Sequence, residues 1–486
     1  MKKKTFLARV RWGALAMLAT GGLLLTSCAS DGFNEETFEG SVRNTQLENP
    51  SIDPSKNIYP TDDKSQTIIE WDVVFGARAY DCKVYDTTEN PYVLVKDTVI
   101  DGRRFTVPRE EDHTYALYIQ TLANTTLGNI DAPEPSLIQF DSFAPAKTIP
   151  SGTDLAAFFN VDPEEPSDVS PIEEGSEEAY FDLEPGGTYT LSEKALITND
   201  NIAVFLRCKN KNNLPTIVYG ETGSLVTAGP LSLKNIVLDC SASSECMLEL
   251  SKEPSYDPIS TYYRIKNFYL TNIKATGIRN SIFHDGNTKY CVVDFKIEDC
   301  VLQLATEAVK YESLIAFQAG GAKDFTILNS TVYGNNAIAK YFLRYNNSAR
   351  LDRYGFNKDA DFQTMTYQNN TFYGLLKSDG QWGNYSAIAG QAYSKFVVQK
   401  NIWYNCSKQI VRRMSGGRFN ENSPRTFEKN TYWNDGADMS EDEASYDTGG
   451  SILTSDPAFE DATNADFTPT GEQQVENQTG DPRWFE

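Results

Sequence analysis

The sequence predicts an all-β chain, a β-sandwich followed by a single-stranded parallel β-helix. Three observations carry that reading. From about Leu233 onward one short phrase returns roughly every 30 residues, turning each time at a small residue. Its copies end at Cys240, around Asn272, and at Cys300, Ser330, Asn370, Asn401 and Asn430. Inside the copies apolar and polar positions alternate with period two, as in a strand with one buried face. Upstream, short alternating segments separated by turn residues fill a stretch of sandwich size. A unit repeated in this way cannot bury its own apolar face and must stack on its neighbours.

The columns can be read position by position. Five residues before the anchor stand Phe295, Phe325, Met365, Phe396 and Arg425; three before it stand Ile297, Ile327, Tyr367, Val398 and Phe427. After it come Leu302, Val332, Phe372, Trp403 and Tyr432, and then Gln303, Tyr333, Tyr373, Tyr404 and Trp433. Asn and Asp tolerate left-handed backbone and bond their own turn, so stacked anchors are expected to form a polar ladder, with Cys240 and Cys300 in the same position. The leucine spacing and helical segment of a leucine-rich repeat are missing.

Before the repeat, residues 153–160 read as a short helix capped by Asp154, and residues 179–191 as strand, Pro-Gly turn, strand. With the phrase Leu183-Glu-Pro-Gly-Gly-Thr-Tyr189, this order of cap helix, turn and stacked coils resembles the opening of right-handed parallel β-helices of the pectate-lyase-like (chondroitinase-B-like) superfamily. The resemblance covers residues 150–470 and implies fold more safely than activity. Asp456-Pro-Ala-Phe459 and Ala465-Asp-Phe467 resemble the closing phrase of such helices. In the C-terminal tail, residues 471–486, Gly480-Asp-Pro-Arg-Trp484 is similar to the ends of surface lipoproteins from polysaccharide-utilisation systems.

Residues 65–145 form the expected sandwich. The segment Gln66 to Tyr85 resembles strands B and C of a fibronectin type III domain, with Trp71 and Tyr80 pointing inward, and Thr114–Leu122 alternates as strand F with Tyr115 at the tyrosine-corner position. Such a unit is expected to act as a spacer.

The N-terminus predicts the compartment. Lys2, Lys3, Lys4, Arg9 and Arg11 precede an apolar run from Trp12 to Leu25, closed by Leu25-Thr-Ser-Cys28. The run suits a signal peptide over residues 1–27 and is short for a membrane span. The Leu-x-Ser-Cys ending resembles a bacterial lipobox, which implies lipidation of Cys28, a lipidated tether over residues 28–64, and an outer-membrane, surface-exposed protein held by its lipid alone. Seven cysteines remain, an odd number, in spacings that match no zinc site; most read as core.

The net charge is −23, and −28 once the five basic residues of the leader are removed, which disfavours nucleic acid as a partner. Residues 161–179 hold eight acids and no bases; Ca²⁺ would suit that charge, but the spacing is that of no recognised Ca²⁺ loop, so the cofactor stays unassigned and no metal ligand is named. Residues 301–430 reverse the sign, with 16 Lys and Arg against nine acids. Lys310 and Lys340 lie ten residues after their anchors and Arg412 eleven after Asn401, so similar offsets put them on one flank, with Arg344, Arg350, Arg353, Arg413 and Arg418 beside them and Trp382 and Tyr404 as ring platforms. Cations beside aromatic rings suit a uronate-containing polysaccharide.

This predicts glycan capture within a polysaccharide-utilisation system, alongside other outer-membrane glycan-uptake proteins. The alternative is a lyase in which Lys340, Arg344 and Arg412 supply the base and enolate-stabilising cation of a β-elimination; a structural or adhesive role is the third reading. Only His113 and His284 occur in the chain, which disfavours histidine-based catalysis. The adjacent-Asp and Gly-His phrases of β-helix polygalacturonases are absent.

Overall fold

The computed structural model describes residues 42–485, apart from 89–90, 161–169, 174, 306–312, 335–338, 385, 407–408 and 435. There are two compact units, the first ending at Phe143 and the second beginning at Ala144.

In the first unit, β1 (Ile58–Pro60), β2 (Gln66–Glu70) and β5 (Arg104–Pro108) form one antiparallel sheet. The strands β3 (Ala77–Asp86), β4 (Val93–Ile100), β6 (Thr114–Ala123) and β7 (Ser136–Asp141) form the other, in the order β4-β3-β6-β7. Period-two alternation buries Tyr80, Cys82 and Val84 from β3 and Tyr115, Leu117 and Ile119 from β6. Trp71 closes the core edge-on to Tyr80 at 5.1 Å and to Phe105 at 5.9 Å between ring centroids. The Tyr115 hydroxyl accepts the Glu110 amide at 3.1 Å.

Residues 42–57, expected as tether, are instead integral to this unit. Leu47 is buried, Asn49 Oδ1 accepts from the Thr121 amide at 2.8 Å, and Asn129 Nδ2 donates to the Val42 carbonyl at 3.0 Å. Side-chain amides stand in for ladder bonds here, so a polar composition conceals an ordered segment.

The second unit is a parallel β-helix. Its first coil is covered by the helix Leu155–Phe159, capped by Asp154, whose Oδ1 accepts from the Ala156 amide at 3.2 Å and whose Oδ2 accepts the Ser192 hydroxyl at 2.6 Å. Phe159 then packs edge-on to Phe181 at 5.3 Å. The coils build a sheet of 18 strands and a second sheet of seven. In the larger sheet the pairing runs Phe295, Phe325, Met365, Phe396, Arg425 and, on the next inward position, Ile297, Ile327, Tyr367, Val398, Phe427. Those are the columns read from the sequence. Like residues stack, with Phe295 on Phe325 at 5.2 Å and Trp403 on Tyr432 at 5.2 Å.

The ladder differs from expectation in one respect. The left-handed residue is the one before each anchor: Asp299, Asn329, Asn369, Lys400 and Lys429 have φ between 48° and 56°. The anchor itself turns inward and is fully buried in Cys300, Ser330, Asn370, Asn401 and Asn430. Each anchor's backbone N–H then donates to the side chain of the next: Cys300 to Ser330 Oγ at 3.0 Å, Ser330 to Asn370 Oδ1 at 3.0 Å, Asn370 to Asn401 Oδ1 at 3.2 Å, and Asn401 to Asn430 Oδ1 at 3.1 Å. The Asn side-chain amides donate in turn to Ile327, Tyr367 and Val398 carbonyls at 2.8 Å. Asp447 ends the series, accepting from Asn430 Nδ2 at 3.1 Å. Cys240 is not a rung. Ile236 pairs with Ile273, whose amide donates to Cys300 Sγ at 3.5 Å, so the two coils before Cys300 carry Ile at the anchor, after left-handed Asn235 and Asn272. All seven described cysteines are buried and unbridged.

The C-terminal segment docks along the outer threonines that follow the anchors. Gln474 Nε2 donates to Thr431 Oγ1 at 3.0 Å, the Asp481 amide to Thr371 Oγ1 at 3.1 Å, and Trp484 Nε1 to Thr331 Oγ1 at 2.8 Å. The Asp481 carboxylate accepts the Thr331 hydroxyl at 2.7 Å and pairs with Arg483 at 2.7 Å.

Removing a rung strands buried partners on both sides of it. Asn401→Ala leaves the Asn370 amide and the Tyr367 carbonyl without the bonds described above, and is expected to cost roughly 2–4 kcal/mol of stability. The urea midpoint measures this; a loss under about 0.5 kcal/mol would mean the ladder contributes no more than an ordinary surface contact.

Candidate functional site

The seven-stranded sheet is formed by Lys194–Thr198, Ser224–Thr227, Leu248–Leu250, Phe283–His284, Ser313–Ala316, Ala339–Arg344 and Leu376–Asn384. Its pairing register runs one lateral row from Leu196 through Val226, Glu249, His284 and Ala316 to Arg344. Residues paired in a parallel sheet share a face, so acid, imidazole and guanidinium line up across the strands.

The first strands make an acidic end. Lys194 Nζ lies 2.6 Å from Glu249 and 3.2 Å from Glu245. Burial works against the Lys194 charge, yet the two carboxylates outweigh it and raise its pKa. A groove of about 420 Å³ lies over these residues, with Leu196, Val226 and Lys252 in its walls. None of them was singled out from the sequence. Lys194 and Glu249 are separated by 55 residues, and only the stacking of three short strands joins them.

His284 is buried, and its Nδ1 accepts the Gly286 amide at 3.0 Å, so a neutral ring carries its proton on Nε2. Burial lowers its pKa. The neighbouring Asp285 accepts the Ala319 and Gly320 amides at 2.8 Å each, while burial pushes its carboxyl up to about 6. Gly286 sits at φ 62°, where a Cβ would lie 2.3 Å from the Leu250 carbonyl oxygen. The His-Asp-Gly phrase thus locks a turn. Among the described residues no group of three His, Cys, Asp or Glu is arranged to hold a metal ion.

The last strands make a basic end. Lys340 and Arg344 share the strand Ala339–Arg344, both half-buried, with Lys340 Nζ 5.6 Å from the centre of the Tyr341 ring. Beyond the final strand the chain forms the helix Ile410–Ser415, which packs on Leu376–Asn384 and exposes Arg412 and Arg413; Arg418 is exposed just after it. Glu443 holds this helix in place, its carboxylate accepting the Ile410 amide and, at 2.9 Å, the Val411 amide. Lys340 and Arg344 therefore share one strand without touching, and Arg412 and Arg413 lie on the helix beyond the next strand.

Other expected site residues fall elsewhere. Arg350 and Arg353 lie in the loop that follows Arg344, each 3.9 Å from Asp352, and Tyr262 and Arg264 tie that loop back to earlier coils through the Ser348 carbonyl at 3.1 Å and the Tyr354 carbonyl at 3.2 Å. Trp382 is not a ring platform: it is fully buried and stacks on Phe342 at 4.0 Å, because its strand turns it into the core. Tyr404 is not one either. Its ring stacks on Tyr373 at 5.2 Å and meets Phe459 at 5.5 Å, beneath the hairpin of Phe459–Asp461 and Asp466–Pro469. Lys310 and Cys28 lie outside the described residues, as does most of the acidic stretch 161–179.

Three family models match the chain, each described only as a domain of unknown function: DUF4992 over residues 1–186, DUF4957 over 187–335 and DUF5123 over 365–484. No curated protein matches. Among solved structures, pectate lyase PelI from Erwinia chrysanthemi in complex with tetragalacturonic acid aligns over 77% of this chain and 84% of its own, at 12% identity and a TM-score of 0.13.

The helix that carries Arg412 depends on a titratable group. Burial pushes the Glu443 carboxyl from 4.5 up to about 7, against the pull of the amides it accepts, and Asp447 adds to the rise. Folded Glu443 holds its proton to higher pH than unfolded Glu443. Its contribution is therefore fully present below about pH 4.5 and is lost as pH rises to about 7. Glu443→Gln is expected to remove on the order of 3 kcal/mol of this decline. Denaturation midpoints across that window test it, and equal slopes for the two proteins would refute it.

Proposed function

We propose that this protein captures an anionic, uronate-containing polysaccharide along the open face of its seven-stranded sheet. One observation carries the reading: Arg344 on the penultimate strand and Arg412 and Arg413 on the helix packed against the last strand gather cations at one end of the sheet, and among the described residues none of the three is engaged in an ion pair. A guanidinium pairs with a carboxylate through two parallel hydrogen bonds, and a row of them matches a polymer that repeats its carboxylate. Strands are spaced by about 4.8 Å, on the scale of one sugar residue in an extended chain.

The arrangement favours binding over cleavage. β-Elimination needs a base and an enolate-stabilising cation converging on one carbon. Lys340 and Arg344 share a strand, while Arg412 stands beyond the next one. Contacts spread along an axis suit a long ligand better than a single reacting atom.

The leader and the Leu-x-Ser-Cys28 ending support attachment to the outer membrane through lipid. The three-plus-four strand arrangement and the Tyr115 contact support a fibronectin type III-like spacer in the first unit.

Two measurements test this. Full-length protein in detergent is expected to be retarded in gels containing polygalacturonate or alginate, less so as salt rises, and Arg344→Ala or Arg412→Ala should each weaken retention about tenfold. Retardation unchanged by both substitutions would remove the proposed face; growing ultraviolet absorbance from unsaturated uronate ends would make the protein a lyase. Cys28→Ala should move the protein from the membrane to the soluble fraction, and retention in the membrane would exclude the lipid anchor.

A further inference from the structure

The outer face of the four-stranded sheet in the first unit carries a chemistry that neither a spacer nor a sandwich core requires. Alternation along β3 turns Asp81, Lys83 and Tyr85 outward, and β6 turns Tyr118 and Gln120 outward. The register sets Asp81 opposite Gln120 and Lys83 opposite Tyr118. The rings of Tyr85 and Tyr118 meet edge to face, 5.8 Å between centroids at 88°. Tyr92, 61% exposed just before β4, and Pro135, exposed before β7, flank the sheet, and together these side chains line a groove of about 430 Å³.

We propose that this groove is a second glycan site, independent of the solenoid face, and that it takes neutral pyranose residues. A pyranose presents an apolar face of C–H groups and a rim of hydroxyls. Tyrosine rings supply a surface for the first, and an acceptor, a donor and an amide within hydrogen-bonding reach suit the second. Charge separates this site from the solenoid. Lys83 Nζ pairs with Asp97 at 3.8 Å, and Asp81 remains, so the groove is neutral to acidic and repels a uronate. The Gln120 Nε2 already donates to the Ala132 carbonyl at 2.7 Å, which fixes the side chain and leaves its oxygen as the acceptor. The pairing of β3 with β6 fixes the backbone under both rings, and their edge-to-face contact sets them against each other, which lowers the cost of ordering them on binding.

The experiment uses full-length protein carrying Arg344→Ala and Arg412→Ala, so that failure of the solenoid reading does not affect the result. Binding of cellohexaose, mannohexaose and xylohexaose is measured by calorimetry, with sedimentation in parallel. At least one saccharide is expected to bind. Tyr118→Ala should weaken it about tenfold and Tyr118→Phe should leave it nearly unchanged, because the ring and not the hydroxyl makes the contact. Tyr118 lies on the outer face, so both variants should keep the parent's circular dichroism spectrum. Three results overturn the proposal: no neutral saccharide binds, binding survives Tyr118→Ala, or Tyr118→Ala abolishes self-association, which would make the face an interface between copies.

Discussion

A parallel β-helix must turn its chain at the same place in every coil, and here the turn points a polar backbone group into the core. The N–H of each anchor is out of reach of water and of its own strand's ladder. Its partner is the side chain of the next anchor, from Cys300 through Ser330, Asn370 and Asn401 to Asn430. The left-handed residue just before the anchor makes that inward turn possible. Coil spacing, strand register and the stacked aromatic columns on either side all follow from this one row of bonds. A buried polar group satisfied in this way specifies register, because a slip by one coil position would leave every rung without its partner.

The solenoid's surfaces are not equivalent. The outer threonines of the larger sheet are occupied by the chain's own C-terminal segment, with Asp481 and Trp484 on Thr331. The hairpin carrying Phe459 and Phe467 covers Tyr373 and Tyr404. The seven-stranded sheet carries the half-buried Lys340 and Arg344 near its far end, and the helix Ile410–Ser415, with Arg412 and Arg413 exposed, packs beyond its last strand. Glu443, buried and shared with the helix N-terminus, fixes where that continuation sits. The acidic Lys194–Glu249 cluster at the opposite end gives the face a polarity along the axis.

Much of the fold was legible because it repeats. Phe295, Phe325, Met365 and Phe396 occupy one column both in the sequence and across the strands, since a period-two pattern survives translation from chain to sheet. Cys240 misled because the two coils before Cys300 place Ile at the turn, and a small residue four positions after Ile236 mimics an anchor. The site was less legible. Nothing in the sequence around Trp382 and Tyr404 tells an outward ring from an inward one, and only contacts with Phe342 and with Phe459 reveal that their rings are occupied. The Lys194–Glu249 pair left no local trace, because nothing in either neighbourhood marks the other.

The ladder also has a direction. Every rung borrows its acceptor from the coil that follows it, and the last one, Asn430, borrows from Asp447. A chain emerging from its N-terminus therefore always ends in an open rung, and no completed coil is closed until its successor has been laid down. The final closure waits for residues near the C-terminus, with Asp481 and Trp484 reaching back to Thr331. The architecture thus postpones its own locking until the segment beyond the last coil is in place.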